Sequence, residues 1–590
     1  MKSVTDTPYP HWVALLQRRA MDEPDRLAFG FMRNGVDDEV RFTYAQLDEA
    51  ARKIGAALQQ QGLSGERAVL LYQPGADYVC ALMGCLYAGV AAVPVYAPRQ
   101  NASYGRVLQI IASARAAVLL ATDKVVASLD KPEWADLQQA GLRLLATDTL
   151  PDALAEQWRM PDIDADTLAV LQYTSGSTGR PKGVQLCHRH LLANSRMIAR
   201  AMHCTRESVG VIWLPPYHDM GLIGGLLQPM YTGFPVHLMS PVTFLQRPIR
   251  WLEAISTYRG TISAAPNFAY ELCVNRIRPE QLANLDLSSW QVVCNGAEPI
   301  RAAVLREFSS RFAPAGFDAR AFFPCYGMAE TTLYVAGGPF MSGMRTLHSS
   351  RDALAAGRIQ IEKTAAASHV DGIELVSSGR IDADTAVCIV DPASGLRCES
   401  GTIGEIWVAG DTVAAGYWEQ PEATADTFHA RLPDSDLHWL RTGDLGSIID
   451  GELYVTGRIK DLIIIRGQNH YPQDIESTVA GVHPALRMHG AAAFSIDQAE
   501  GEQLGLVLEL ERNALEIDLA PVAAAVRDAV SRQHQLQIDR LAFVRPGGIP
   551  RTSSGKIQRY LTRQHLLQGA LPVVGEKQEA VHGHDSLAVS

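Results

Sequence analysis

No two cysteines in this chain are spaced C-x-x-C, and the nine present (Cys80, Cys85, Cys187, Cys204, Cys273, Cys294, Cys325, Cys388 and Cys398) are scattered and odd in number. A disulfide framework and a structural zinc site are therefore not expected, and a reducing compartment suits the pattern. Basic charge is also scarce: Lys+Arg total 53 against 64 for Asp+Glu, a formal net charge of -11. A partner made of phosphate backbone normally demands the opposite balance, so nucleic acid is excluded as the expected partner. The longest uncharged apolar stretch, 79–98, is broken by Gly84, Gly89 and Pro94. It reads as helix followed by strand, and no integral membrane span is expected. The opening MKSVTDTPYPHW has no apolar core of the kind a signal peptide needs, which makes a cytoplasmic location the expectation. There is no internal repeat, no low-complexity tract and no G-x-x-x-x-G-K-[ST] loop.

What is present is a long chain of ordinary globular composition. Its 590 residues are 47% hydrophobic and 20% charged, enough for roughly four packing units of about 150 residues each. Thr43 followed by Gln46 has the form of a capping box, and Leu47, Ala50, Ala51, Ile54 and Leu58 recur at helical spacing until Gly62. Residues 67–72 (RAVLLY) form a short apolar run, Pro74-Gly75 a turn, 77–88 a helical pattern and 90–95 another apolar run. Strand, helix, strand at that spacing predicts a βαβ unit with a parallel sheet and a right-handed crossover. Similar strand-like runs return at 210–214, 236–239 and 261–265, so the bulk reads as layered α/β. Beyond residue 400, the runs 403–409, 452–456 and 461–466 are strand-like and punctuated by glycine, and 474–567 mixes helix and strand as a small α+β domain would. The last residues, 574–590, lack periodicity and read as a disordered tail.

The sharpest local signal is Tyr173-Thr174-Ser175-Gly176-Ser177-Thr178-Gly179-Arg180-Pro181-Lys182-Gly183, directly after the apolar run 167–172. Glycines let backbone N–H groups turn inward on an anion, hydroxyls add donors, and Lys182 adds a point charge. A phosphate-binding loop is the expected role.

That loop resembles the ATP-phosphate loop of the adenylate-forming superfamily, which includes acyl-CoA synthetases, peptide-synthetase adenylation domains, luciferases and fatty acyl-AMP ligases. Further segments are similar to the superfamily's motifs, in the same order, between about Phe42 and Arg563. Asn295-Gly296-Ala297-Glu298 and Tyr326-Gly327-Met328-Ala329-Glu330 look like the adenine and magnesium segments. Gly416-Tyr417-Trp418 and Arg441-Thr442-Gly443-Asp444 look like the ribose region. Gly457-Arg458-Ile459-Lys460-Asp461 looks like an interdomain hinge, and Pro550-Arg551-Thr552-Ser553-Ser554-Gly555-Lys556 like the loop of the catalytic lysine. The resemblance implies an α/β fold: a large multi-subdomain N-terminal domain (1–459) with layered, mostly parallel sheets, a smaller mobile α+β C-terminal domain (460–572), and a tail (573–590).

It also implies ATP and Mg2+ as cofactors and a division of labour. A substrate carboxylate attacks the α-phosphorus of ATP as pyrophosphate leaves, so no nucleophilic triad is needed and alignment of anions is the task. Glu330 is the expected magnesium ligand and Tyr326 an adenine platform. Thr174, Ser175, Gly176, Ser177, Thr178, Gly179 and Lys182 are expected on the phosphates, Asp444 on the ribose hydroxyls, Arg458 on ribose or phosphate, and Lys460 among the nucleotide-binding residues. Lys556 is expected to stabilise charge between carboxylate and α-phosphate. His188 and His190, which lack a third ligand, read as surface residues.

Within the superfamily, 213–225 (WLPPYHDMGLIGG), 266–270 (PNFAY) and 467–476 (GQNHYPQDIE) are similar to fatty acyl-AMP ligases. PYHDMG does not read as the aspartate segment of amino-acid adenylation domains. His218, Gly221, Leu222, Ile223, Gly224, Gly225 and Phe268 are the expected acyl-binding residues, with a narrow apolar tunnel among them. Residues 341–376 look like an insertion, which in those ligases is thought to restrain the small domain and disfavour coenzyme A. The expected reaction is fatty-acid adenylation followed by transfer to an acyl carrier protein or a carrier domain of a polyketide or peptide synthetase. Acyl-CoA synthesis is the alternative, and a non-catalytic acyl or nucleotide sensor a second. Carrier proteins are usually acidic, so Arg559 and Arg563 are offered as a basic docking surface. Gly583-His584-Asp585-Ser586-Leu587 is similar to a phosphopantetheine attachment site, but too few residues surround it for a carrier bundle. Acyl chain length, carrier identity and oligomeric state leave no mark in the sequence.

Overall fold

The computed structural model describes residues 9–98, 104–129, 132–174, 181–361, 372–498, 501–552 and 555–578, with backbone alone at 501 and 575–578. Among them the chain forms two compact units. One comprises Met1–His348, Ile373–Thr442 and Gly446–Val455; the other Ser349–Gly372, Gly443–Leu445 and Thr456–Ser590. The small unit thus starts ahead of Lys460 and takes in much of the stretch read as an insertion.

The large unit begins as the βαβ pattern predicts. Thr43 caps helix Tyr44–Gln60, with a reciprocal bond from Gln46. Strand Arg67–Leu70, helix Ala76–Ala88 and strand Ala91–Pro94 follow, the two strands pairing in parallel. They belong to a six-stranded sheet whose order is Arg143–Ala146, Val118–Ala121, Arg67–Leu70, Ala91–Pro94, Leu168–Thr174, Lys182–Cys187. A second sheet of fourteen strands contains the parallel set Leu27–Met32, Val236–Met239, Gly210–Ile212, Ile262–Ala265, Val292–Asn295 and Phe322–Gly327. Their near-continuous apolar composition is what a sheet covered on both faces requires. Side chains such as Trp12, Trp251, Trp290 and Tyr270 fill the core beside it.

The small unit is built on the sheet Leu486–Gln498, Gly501–Leu510, Ile538–Val544 and Val573–Gln578, with helices Pro472–Val479, Leu519–His534 and Arg559–Leu567. Its last strand corrects the sequence reading. Residues 573–578 pair antiparallel with Ile538–Val544 instead of beginning a disordered tail. Gly575, Glu576 and Lys577 broke the apolar pattern by which strands are recognised, while backbone pairing does not depend on that pattern. Residues 579–590, including Gly583–Leu587, lie outside the described residues. The stretch read as an insertion contributes helix Arg351–Ala355, which packs against strand Gln468–His470 of this unit.

A second correction concerns Arg559. Its guanidinium donates to both oxygens of Glu476, each at 2.7 Å, and to Asp461 at 2.9 Å. Only 18% of its side chain is exposed, so it clamps the fold and is no docking cation. Arg563 is likewise engaged, by Asp497. Removing one member of a buried ion cluster strands the other charges. Arg559→Met is expected to destabilise the small unit by about 3 kcal/mol; a urea midpoint equal to wild type would contradict the clamp.

Candidate functional site

The six-stranded sheet ends in the hairpin that carries the phosphate-loop sequence. Strand Leu168–Thr174 runs antiparallel to Lys182–Cys187, and Thr174 lies opposite Lys182. Ser175, Gly176, Ser177, Thr178 and Gly179 lie outside the described residues. Residues 414–418 line the other edge of the second strand. Gln185 N–H donates to Gly416 O at 2.9 Å, Ala415 N–H to Gln185 O at 3.1 Å, and Trp418 N–H to Gly183 O at 2.8 Å. Those bonds deliver Tyr417 to the lysine: the Lys182 ammonium lies 4.4 Å from the centre of the Tyr417 ring, a cation–π contact.

Glu330 reaches the same place from the fourteen-stranded sheet. It follows strand Phe322–Gly327 in the single turn Ala329–Thr331. Gly327 has to be glycine, because a Cβ there would stand 1.7 Å from Leu333 O. The Glu330 carboxylate accepts from Tyr417 Oη at 2.9 Å, and its backbone carbonyl accepts from Ala414 N–H at 2.9 Å. Thr332 sits in left-handed backbone (φ +67), a strained state that its hydroxyl bond to Thr412 O at 2.7 Å helps hold. From the other side, buried Asn194 donates to Thr331 O and Tyr334 O and accepts from Tyr334 N–H at 3.1 Å. Sequence reasoning passed over Asn194 and gave no sign that Tyr417 meets Glu330 and Lys182. Its signal for Asn194 was an amide interrupting an apolar helix stripe (Leu191, Ile198).

The remaining large-unit candidates share one topological feature. Four neighbouring parallel strands, Gly210–Ile212, Ile262–Ala265, Val292–Asn295 and Phe322–Gly327, each end in a segment marked from the sequence. Open α/β sheets bind ligands at the carboxyl ends of their strands. Asn295 is fully buried, Ala297 takes left-handed backbone (φ +69), and Glu298 accepts from Phe268 N–H at 2.6 Å. Gly296 lies against Cys325, next to Tyr326, and Met328 N–H donates to Leu333 O at 2.9 Å, with Ala329 buried behind it. The His218 and Asp219 side chains are 2.6 Å apart, at the head of a wide, π-type helix Met220–Leu227, a form often met at functional sites.

A small apolar pocket lies beside that helix, its lining including Phe31, Tyr78, Val79, Ile212, Gly221 and Met239. Of the expected acyl-binding residues, Gly221 lines it. Leu222 and Ile223 are fully buried core, Gly225 packs on Ile212, Gly224 faces Leu333, and Phe268 meets the edge of Trp213. Gly221 is also required for packing, since a Cβ there would stand 2.1 Å from Pro215 O.

In the small unit, buried Asp444 accepts from Arg458 Nε at 3.0 Å, and Lys460 lies in the adjacent turn Ile459–Asp461. Lys556 closes a tight loop: its N–H donates to Thr552 Oγ1 at 3.0 Å, its carbonyl accepts from Thr552 N–H at 2.8 Å, and Gly555 supplies left-handed backbone (φ +88). Ser553 and Ser554 lie outside the described residues.

Comparison with known proteins decides the family. The AMP-binding enzyme family matches residues 16–418, and the Disco-interacting protein 2-like AMP domain matches 460–575. The chain is 44% identical to the medium-chain-fatty-acid–[acyl-carrier-protein] ligase JamA of Moorena producens, over 95% of each chain. It is 36% identical to the long-chain-fatty-acid–AMP ligase FadD32 of Mycolicibacterium smegmatis, over 95% of this chain and 94% of that one. Among solved structures, a fatty acyl-adenylate ligase from L. pneumophila in complex with acyl adenylate and pyrophosphate aligns with a TM-score of 0.75 at 37% identity, covering 98% of this chain and 99% of that one. The chain belongs to the fatty acyl-AMP ligase family of AMP-binding enzymes.

The residues present suit this family's ATP chemistry. Among the described residues there is no group of three or more His, Cys, Asp or Glu able to hold a metal, so an all-protein cage is absent. Magnesium needs none: one or two carboxylates with phosphate oxygens suffice, and buried Glu330, hydroxyl-bonded and close to a lysine contact, is such a carboxylate. His188 and His190, expected at the surface, are instead buried. His188 Nδ1 accepts from Trp12 N–H and His190 Nδ1 from Cys187 N–H, which fixes the start of helix His188–Ala201. No described helix is long and apolar enough to cross a membrane.

Burial pushes His188 down to about 3 and His190 to about 4 from an ordinary 6.5. As pH falls, the unfolded chain takes up these protons first, so the stability contribution is complete above 6.5 and lost as pH falls from there toward 4. Urea titrations at pH 7.5 and 5 are expected to show that loss. His190→Gln, which cannot titrate, is expected to reduce the slope; an unchanged slope would contradict the assignment.

Proposed function

We propose that this ligase activates a medium- or long-chain fatty acid with ATP, forming acyl-AMP and pyrophosphate, and then passes the acyl group to the phosphopantetheine thiol of an acyl carrier protein. In the first step a carboxylate oxygen bonds to the α-phosphorus and the bond to the pyrophosphate oxygen breaks. In the second, the thiol sulfur bonds to the acyl carbon, its proton is lost, and AMP leaves.

The carrying observation is the convergence of Lys182 and Glu330 on Tyr417, which sets a cation and a carboxylate side by side where a triphosphate needs both. Lys182, Thr174 and the loop between them bind the phosphates. Glu330 would hold Mg2+, which when bound neutralises phosphate charge. Asn295, Gly296, Ala297, Glu298, Tyr326, Gly327, Met328 and Ala329 form the adenine side, and Asp444, Arg458 and Lys460 the ribose side. Lys556 stabilises charge at the α-phosphate. His218 and Gly221 lead the acyl chain toward apolar surface, where each buried methylene contributes about 0.8 kcal/mol. The carrier reading, over coenzyme A, draws on the printed names of JamA and its counterpart TtuA of Teredinibacter turnerae, both acyl-carrier-protein ligases, and on helix Arg351–Ala355 packing within the small unit.

The test offers purified protein ATP and fatty acids of increasing length, with holo carrier or with coenzyme A. Carrier acylation well above acyl-CoA formation is expected; efficient acyl-CoA synthesis would overturn the acceptor. Lys556→Ala is expected to lose at least about a hundredfold in acyl-AMP formation, the scale for one preorganised charge-stabilising group, with near-normal ATP binding. Unchanged turnover would remove its role.

A further inference from the structure

Gly416-Tyr417-Trp418 resembles the ribose region of the superfamily, which says nothing of what the Tyr417 side chain meets. Its hydroxyl donates to Glu330 at 2.9 Å, its ring faces the Lys182 ammonium at 4.4 Å, and its own N–H is held by Thr424 Oγ1 at 2.9 Å. Phe428 meets the ring at right angles, 5.1 Å between centres. We propose that Tyr417 is a positioning residue for adenylation: its hydroxyl orients the Glu330 carboxylate for the divalent cation while its ring sets Lys182 against the same phosphates. The proposal rests on the reading of Glu330 as the metal ligand.

Three observations support it. First, the phenol is fixed on every side by backbone pairing, the Thr424 bond and Phe428, so it is an orienting group rather than one that follows the carboxylate. Second, the hydroxyl donates to the Glu330 carboxylate at 2.9 Å, inside the ordinary hydrogen-bond range. Third, Lys182 lies on a strand of one sheet and Glu330 follows a strand of the other, and the Tyr417 side chain touches both. Groups that orient metal ligands typically change metal affinity or activity by 10- to 100-fold when lost.

The experiment titrates Mn2+ into the full chain with a non-hydrolysable ATP analogue, followed by electron paramagnetic resonance, for wild type, Tyr417→Phe, Glu330→Gln and the double variant. Phenylalanine keeps the ring and its packing and removes only the hydroxyl. The expected result is Mn2+ binding weakened about 10- to 100-fold in Tyr417→Phe, with a cooperative urea transition whose midpoint falls by no more than one lost hydrogen bond accounts for, and a double variant no weaker than Glu330→Gln alone. Acyl-AMP formation should fall in kcat with the fatty-acid KM unchanged, while transfer from preformed acyl-AMP to carrier stays at wild-type rate. Wild-type Mn2+ binding in Tyr417→Phe, with Glu330→Gln impaired, would overturn the proposal and leave the metal reading standing. Wild-type binding in Glu330→Gln would overturn both. Additive losses in the double variant would show that the hydroxyl acts independently of Glu330, and would also overturn it.

Discussion

The arrangement depends on a short run of backbone hydrogen bonds. Residues 412–418 bond on one side to strand Lys182–Cys187 and on the other to the Glu330 turn, through Ala414 N–H, Thr332 Oγ1 and Tyr417 Oη. Two sheets built from distant parts of the chain are thereby registered at the point where a lysine and a carboxylate converge on Tyr417. Each bond contributes only about 1 kcal/mol on its own. Together they fix a geometry that loops alone would leave unset, and prepaid alignment is the main thing a reaction whose substrate brings its own nucleophile requires.

Much of this was legible in the sequence because it is local. The capping box at Thr43, the βαβ unit at 67–94 and the motif segments at four strand ends follow from turn chemistry and apolar patterning, which act over a few residues. The 173–183 segment stood out because glycines and hydroxyls together suit an anion, whereas the Lys556 segment was marked by its resemblance alone.

What was not legible is pairwise and distant. Tyr417 and Glu330 are separated by 87 positions, and nothing in Gly416-Tyr417-Trp418 states what the hydroxyl will meet. Arg559 read as a surface cation because its partners, Glu476 and Asp461, come from elsewhere in the chain. His188 and His190 read as surface because two polar histidines outweigh their neighbours locally, whereas their ring nitrogens satisfy buried backbone N–H groups. The strand Val573–Gln578 was missed because sheet pairing can recruit residues with no apolar alternation. Among the expected acyl-binding residues, Gly221 was identified by size, but its smallness first serves the Pro215 carbonyl.

In the small unit, Arg458 and Arg559 are engaged in internal pairs, and Lys556 stands on a turn built from Thr552 and Gly555. The most direct measurement of the central claim, that Lys182 and Glu330 form one triphosphate site, is exchange of labelled pyrophosphate into ATP. With a medium-chain fatty acid present, wild type should exchange and Glu330→Gln should fall by at least about a hundredfold, the scale for one lost charge-stabilising group. Acid-dependent exchange that is absent in wild type, or undiminished in Glu330→Gln, would contradict the account.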